Sequence, residues 1–354
     1  MPQQRKRATI RHVAEATGLS PAAVSYALRG VQTSEETQRR VREAAAELGY
    51  EADPIARALA SGRTGTVGLL CGSLEDLWQQ SLAVGMGREL LGQDRYALIL
   101  DAAGDPSREA ILARQLRDQR VDALVVQPLD PSAPDWAHLS GTLPIVSIGD
   151  PLLGVTGGEV LFDNRRGVTL ALEHLTRLGH RRIAVLTPNR PSTPDRPAEV
   201  HVGIEAARLG IDVRLVTSPH ALEGATAAAR NVLDGEHRPS AVFCFADSIA
   251  YGVYAAARDL GLSIPEDVSV IGYDSHPMSA LLTPGLTTVD WDLDGIVRHA
   301  TALAIAQIEG GVEHLRILRE PELCVRASTA AALVADRPGD STAGRTRRTR
   351  ARGA

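Results

Sequence analysis

At 354 residues, 44% hydrophobic and 23% charged, the chain is long enough for two or three soluble domains, and no apolar run of about 18 residues predicts a membrane span. Three scattered cysteines, Cys71, Cys244 and Cys324, exclude a disulfide framework or a cysteine zinc site, and the start MPQQRKRATI lacks the apolar segment of a secretory signal, so a cytoplasmic protein is expected. The net charge of −5 hides an asymmetry: residues 1–65 carry ten basic against seven acidic residues, the tail 336–354 carries six arginines against two aspartates, and only these ends suit phosphate.

Residues 1–8 form a basic arm that the composition leaves disordered until it meets phosphate. From Thr9 to Gly30 the pattern predicts two short helices around a tight turn. Ile10, Val13 and Ala14 recur at helical spacing up to Gly18, which suits a left-handed helix end. Ser20 is a natural N-cap, and Pro21 takes the first helical position, where its missing N–H is not needed. Val24, Ala27 and Leu28 mark the buried side of the second helix. This is the helix-turn-helix pattern, whose second helix enters the DNA major groove. A third helix is predicted over about Glu35 to Leu48. Thr33 and Glu36 have the spacing of a capping box, and Ser34 is the alternative cap.

Pro54 to Gly62 reads as one or two helical turns of small residues around a single Leu59, too short to be stable alone in water. From Thr66 strands alternate with helices. Strands are expected at Val67–Cys71, Tyr96–Leu100, Ala123–Val126 and Pro144–Ile148, with helices at Leu82–Leu91 and Ser107–Arg120. A second set follows: helix Gly167–Leu178, strand Ile183–Leu186, a helix near Ile204–Leu209 and strand Val213–Val216. It continues with helix Ala221–Leu233, strand Ala241–Phe245, helix Ser248–Leu260 and strand Val268–Ile271. Short buried strands alternating with helices imply parallel doubly wound sheets, and two such lobes hold ligands in the cleft between them. The tail 336–354 lacks apolar residues and is expected to be disordered.

Several stretches resemble the LacI/GalR family of bacterial transcription regulators. In the head they are T-I-x-x-V-A at 9–14, G-L-S at 18–20, V-S at 24–25, S-x-E-T-x-x-R-V at 34–41 and A-A-A-E-L-G-Y at 44–50. In the core they are R-V-D-A-L-V-V at 120–126, D-N-x-x-G at 163–167 and H-L-T-R-L-G-H-R-R-I-A at 174–184. L-G-L-S-I-P-E-D-V-S-V-I-G-Y-D at 260–274 and L-T-P-G-L-T-T-V at 282–289 complete the set. The resemblance implies an α/β chain: a three-helix helix-turn-helix head over 9–52, then a hinge helix and linker over 53–65. Two doubly wound α/β lobes of the periplasmic-binding-protein type follow over 66–335. It also implies a ligand-responsive regulator that pairs as a homodimer on double-stranded operator DNA. The tail has no leucine heptad of the kind that makes some members tetrameric.

The resemblance assigns DNA contacts to Thr9, Ser20, Pro21, Ala22, Ala23, Ser25, Tyr26, Arg29 and Thr37, and to the hinge residues Ala56 and Leu59. Leu59 matches the leucine that wedges into the minor groove and kinks the duplex. Direct readout needs donors or acceptors facing base edges, yet Pro21, Ala22 and Ala23 have none. Tyr26 stands where many relatives carry arginine. Few direct contacts are therefore expected, with discrimination coming from DNA bending.

For a small-molecule effector the resemblance points to Ser73, Trp78, Asp150, Phe162, Arg196, Asp247, Asp274 and Trp291. Asp274 ends a strand and offers a carboxylate to hydroxyl groups. Ala246-Asp247 replaces the usual Asn-Asp, and Val200 stands where relatives place an arginine, with Arg196 of the preceding loop as its expected substitute. A sugar-like effector, a different effector and no effector at all remain open. No metal, cofactor or catalytic set is expected: H-E-x-x-H and G-x-S-x-G are absent, and Gly85-Met-Gly87 lacks the third glycine of a dinucleotide fingerprint.

Overall fold

The computed structural model of the chain describes residues 8–28, 30–50, 62–188, 195–235, 238–311 and 314–332, with side chains from 198 onward in the segment that begins at 195. The expected arm up to residue 7, Arg29, the hinge residues Ala56 and Leu59, the Arg196 side chain and the tail 336–354 lie outside the described residues. The chain divides into two compact units, Met1–Gly65 and Thr66–Ala354.

In the first unit, helix α1 (Ile10–Thr17) ends at Gly18 in the left-handed conformation, φ 67°. Ser20 Oγ accepts the Ala23 N–H at 3.2 Å and opens α2 (Pro21–Leu28). Ser34, rather than Thr33, caps α3 (Glu35–Glu47): its Oγ accepts the Thr37 N–H, while the Thr33 hydroxyl turns back to the Val31 carbonyl. Val13, Ala14, Val24, Ala27, Val41 and Ala45 form the core where the three helices meet. Small residues at these positions let the helices approach closely, and the helices are amphipathic because only this one side is buried.

The second unit contains two six-stranded sheets. The first is built from β1 (Thr66–Cys71), β2 (Tyr96–Asp101), β3 (Ala123–Val126), β4 (Ile145–Gly149), β5 (Gly158–Phe162) and β11 (Leu315–Arg319), in the order β11-β5-β4-β3-β1-β2. The second contains β6 (Arg182–Pro188), β7 (Asp212–Ser218), β8 (Ala241–Cys244), β9 (Ser269–Gly272), β10 (Thr287–Asp290) and β12 (Glu322–Cys324), in the order β12-β10-β9-β8-β6-β7. Both sheets repeat one topology. They differ at the edge: β11 joins parallel to β5, whereas β12 joins antiparallel to β10.

Helices α4 (Leu77–Leu91), α5 (Pro106–Asp118) and α6 (Asp135–Ser140) cover the first sheet. The second carries α7 (Asn164–Arg177), α8 (Asp195–Leu209), α9 (Leu222–Leu233) and α10 (Asp247–Leu260). The last helix, α11 (Leu293–Ile308), follows β10 in sequence yet packs on α4 and the first sheet. The lobes are thus not the two successive runs that chain order suggests. The chain crosses between them near Asp163, near Trp291 and near Glu320. Three adjacent crossovers make a hinge, and the Asp163 N–H donates to the Arg319 carbonyl at 2.9 Å across it.

Candidate DNA-binding head and interlobe cavity

In the head, the expected contact residues fall on the outer side of α2 and its flanks. Thr9, Ser20, Pro21 and Ala22 are exposed, and Ala23, Ser25 and Thr37 are half-buried. The Tyr26 ring is 38% exposed. Ser34 Oγ lies 2.9 Å from Thr37 Oγ1, so the two hydroxyls share one hydrogen bond. Arg40 donates to the Thr17 carbonyl at 3.3 Å and ties α3 to the end of α1. A helix capped by Ser20 presents its positive N-terminal end, suited to an anion such as phosphate.

In the core, a cavity of about 550 Å³ opens between the lobes. Lobe one contributes Trp78, Ser81 and Arg319, lobe two contributes Asp274 to Pro277, and the crossovers contribute Asp290, Asp292, Asp294, Glu320 and Glu322. Of the seven expected effector positions whose side chains are described, the cavity wall brings together Trp78 and Asp274. The acidic crossovers were missed, although the alternating D-W-D-L-D at 290–294 and E-P-E at 320–322 signal them.

Phe162 and Trp291 stand behind the cavity as a seam of rings rather than as its lining. Trp78 and Phe162 meet edge to face at 5.6 Å, Phe162 and Trp291 at 5.0 Å, and Trp291 and Tyr273 at 5.5 Å. Phe243 and Phe245 continue the stack from Tyr273 into lobe two. All three phenylalanines of the chain lie in this seam. Trp291 is 1% exposed and Trp78 2% exposed, so neither ring presents the open face expected of a sugar platform. The D-N-x-x-G motif explains itself here. A Cβ on Gly167 would lie 2.5 Å from Tyr273 Oη and 3.2 Å from Trp291, so only glycine lets α7 lie against the seam.

Asp247 corrects the sequence reading. It is 0% exposed, and its carboxylate already takes four donors. Oδ1 accepts from the Tyr273 N–H at 2.9 Å and the Thr288 hydroxyl at 2.6 Å; Oδ2 accepts from the His276 N–H at 2.8 Å and the Ser279 hydroxyl at 2.6 Å. Both oxygens are filled, so Asp247 braces the wall from inside and holds no ligand. Burial pushes its carboxyl above the usual range, and the four donors pull it back. A Cβ on Gly272 would collide with Oδ1, which accounts for the glycine of the G-Y-D motif. The Asp247 N–H in turn donates to Asp274 Oδ2 at 3.0 Å and turns that side chain toward the cavity.

Ser73 is buried at the end of β1, its Oγ accepting the Glu75 N–H at 3.3 Å, and it does not line the cavity. Asp150, half-buried after β4, also lies outside the wall. Cys71 and Cys244 are buried free thiols, as expected of small hydrophobes, whereas Cys324 is half-buried. Burial raises the Cys71 thiol to about 12, which removes it as a nucleophile.

Comparison with known proteins bears on both units. Residues 9–53 match the profile of bacterial regulatory proteins of the lacI family, and residues 172–329 match a periplasmic binding protein-like domain. The HTH-type transcriptional repressor PurR of Aliivibrio fischeri is 29% identical over 336 residues, covering 91% of this chain and 98% of that protein. The ribose operon repressor of Haemophilus influenzae is 27% identical over 323 residues, covering 90% and 97%. A crystal structure of the lac repressor dimer bound to operator and the anti-inducer ONPF shares the fold. Its TM-score is 0.81 at 22% identity, over 92% of this chain and 100% of that one. Head and core together make this chain a ligand-responsive, DNA-binding transcription regulator. It belongs to the LacI family of bacterial regulatory proteins.

Proposed function

We propose that the chain is a cytoplasmic repressor, not an enzyme, that binds a near-palindromic operator as a homodimer and responds to a small molecule in the interlobe cavity. The observation that carries this reading is the position of the cavity. Its wall is made of two of the three crossovers on which the lobes turn, so an occupant acts directly on lobe geometry. Related proteins named as the transcriptional repressor PurR and the ribose operon repressor support the sign of regulation.

Pairing is supported by large apolar side chains left in solvent. On lobe one these are Leu91 at the end of α4 and Tyr96 and Ile99 on the edge strand β2; Leu222 and Leu281 do the same on lobe two. Tyr96 alone is 66% exposed. An uncovered edge strand with apolar side chains invites a partner.

On DNA, Tyr26 and Arg29 face the groove, and Thr9, Ser20, Ser25 and Thr37 take phosphates. Pro21, Ala22 and Ala23 offer only apolar contacts. Ala56 and Leu59 belong to the hinge helix of the 53–65 hinge and linker segment, which pairs with its twin, with Leu59 inserted into the minor groove. A coupling of about 1–3 kcal/mol between cavity and operator is typical of such regulators.

Operator selection from random DNA with wild type, Leu59→Ala and Tyr26→Ala tests the proposal. The expected result is a palindromic site with a central pyrimidine–purine step, bound much more weakly by Leu59→Ala. Failure to enrich a specific site, or an unchanged selection by Leu59→Ala, overturns the hinge mechanism.

A further inference from the structure

We infer that His12 is a further DNA contact of the head, a hydrogen-bond donor to a phosphate that is aimed by the backbone of Thr9. This rests on the reading of the head as the operator-binding unit and adds a residue to its contacts. His12 is exposed in the first turn of α1, and its Nδ1 accepts the Thr9 N–H at 3.2 Å. An imidazole nitrogen that accepts carries no hydrogen, so the ring proton sits on Nε2. Among the described residues that Nε2–H meets no acceptor, and the exposed ring presents it to solvent.

The Thr9 N–H is one of the unpaired donors at the start of a helix, the kind that ordinarily turns to an anion. Here the ring takes it up and passes a donor outward. A nitrogen that receives one hydrogen bond makes the N–H across the ring a stronger donor, so the chain Thr9 N–H, imidazole, phosphate strengthens itself. The surroundings suit an anion. The first turn of α1 has no acidic residue, and Arg11 beside His12 is exposed. Arg5, Lys6 and Arg7 precede the helix in sequence, and Glu15, the one acid of α1, follows a turn later.

A cap alone needs only Nδ1. Glutamate and glutamine supply the same acceptor at this position of a helix, so either can replace a ring that merely caps. Glutamate cannot replace a ring that also meets a phosphate, because its carboxylate would face a like charge. Glutamine keeps both an acceptor and an N–H₂ donor. The two replacements therefore separate capping from contact.

The test uses the full chain and the operator duplex it selects, with affinity read by fluorescence anisotropy and folding by the melting midpoint. His12→Gln should bind within about threefold of wild type, and His12→Ala about tenfold more weakly. His12→Glu should melt like His12→Gln yet bind about tenfold more weakly than it. Ala16→Glu, exposed on the same side of α1 one turn on, measures what a bare added charge does and should stay within about threefold of wild type. Ethylation interference reads the contact itself: His12→Ala should lose sensitivity to one phosphate in each half-site and keep the rest.

Equal affinities for the glutamine and glutamate variants make His12 a cap only and overturn the contact. So does an equal loss from Ala16→Glu, or an unchanged interference pattern in His12→Ala. A wild type that binds no duplex overturns the DNA-binding head itself, whereas a wild type that binds, with every His12 variant binding alike, overturns only this residue.

Discussion

Phe162→Ala removes the ring that joins Trp78 of lobe one to Trp291 at the second crossover. Phe162 is 7% exposed, so its truncation falls in the range of about 3–5 kcal/mol for a buried phenylalanine. Two ring pairs are lost with it, at 5.6 Å and 5.0 Å, each contributing about 0.5–1.5 kcal/mol beyond the area buried. Phe162→Leu keeps most of the volume and loses the ring pairs, and should cost about 1–2 kcal/mol. For a unit of this size each kcal/mol moves the midpoint by about 2–4 °C, so alanine should lower it by roughly 6–20 °C and leucine by about 2–8 °C. Melting followed by tryptophan fluorescence reads the seam directly, because Trp78 and Trp291 flank the site and only Trp136 lies elsewhere. Equal losses for alanine and leucine, or a shift below about 2 °C for both, would refute the seam as the link between lobes.

Gly167→Ala places a methyl against Tyr273 and Trp291 and should cost about 1–3 kcal/mol in a melt, with the operator contacts of the head unaffected. Asp247→Asn turns an amide N–H₂ toward one backbone donor whichever way it flips, either Tyr273 or His276. One lost bond and one unmatched donor should together cost about 2–5 kcal/mol, and a loss near zero would show that the network rearranges freely. His174 is held below its ordinary value of 6.5, first by burial and then by Arg177 and His180, and its Nε2 lies 2.9 Å from Thr329 Oγ1. A histidine depressed in the folded state stabilises fully above the unfolded value and loses that contribution as pH falls through the folded one. The midpoint of the wild type should therefore drop below pH 6.5, and His174→Gln should flatten that limb of the pH profile.

Much of the fold was legible because local patterns and tertiary needs agree. Gly18, Ser20 and Pro21 fix the turn of the head by backbone chemistry alone, so the two helices were read almost to the residue. Strands β1, β3 and β4 were found because their continuous apolar runs are buried on both faces, and β2 because its run Tyr96–Leu100 is apolar although it forms a part-exposed edge. Helix α11 and strands β10 to β12 were not singled out. L-D-G-I-V-R-H-A mixes polar and small residues, because this helix is covered by α4 and the first sheet rather than presenting one clean stripe. The capping box at Thr33 does not form; Ser34, the alternative cap, accepts the Thr37 N–H with its own hydroxyl.

By itself the sequence determined what short-range chemistry can decide: a capped helix-turn-helix, alternating strands and helices, and the glycines at turns. Its motifs also carried the resemblance to the family. Only the tertiary structure decided which carboxylates face a ligand. Asp247 and Asp274 look alike in sequence, yet one is filled by four internal donors while the other turns into the cavity. The same holds for Trp291, whose ring packs into the interlobe seam while the acids beside it line the wall. The reason is that the lobes exchange their last segments across three crossovers, and residues 290–294 and 320–322 become neighbours of Trp78 only when those crossovers lie side by side.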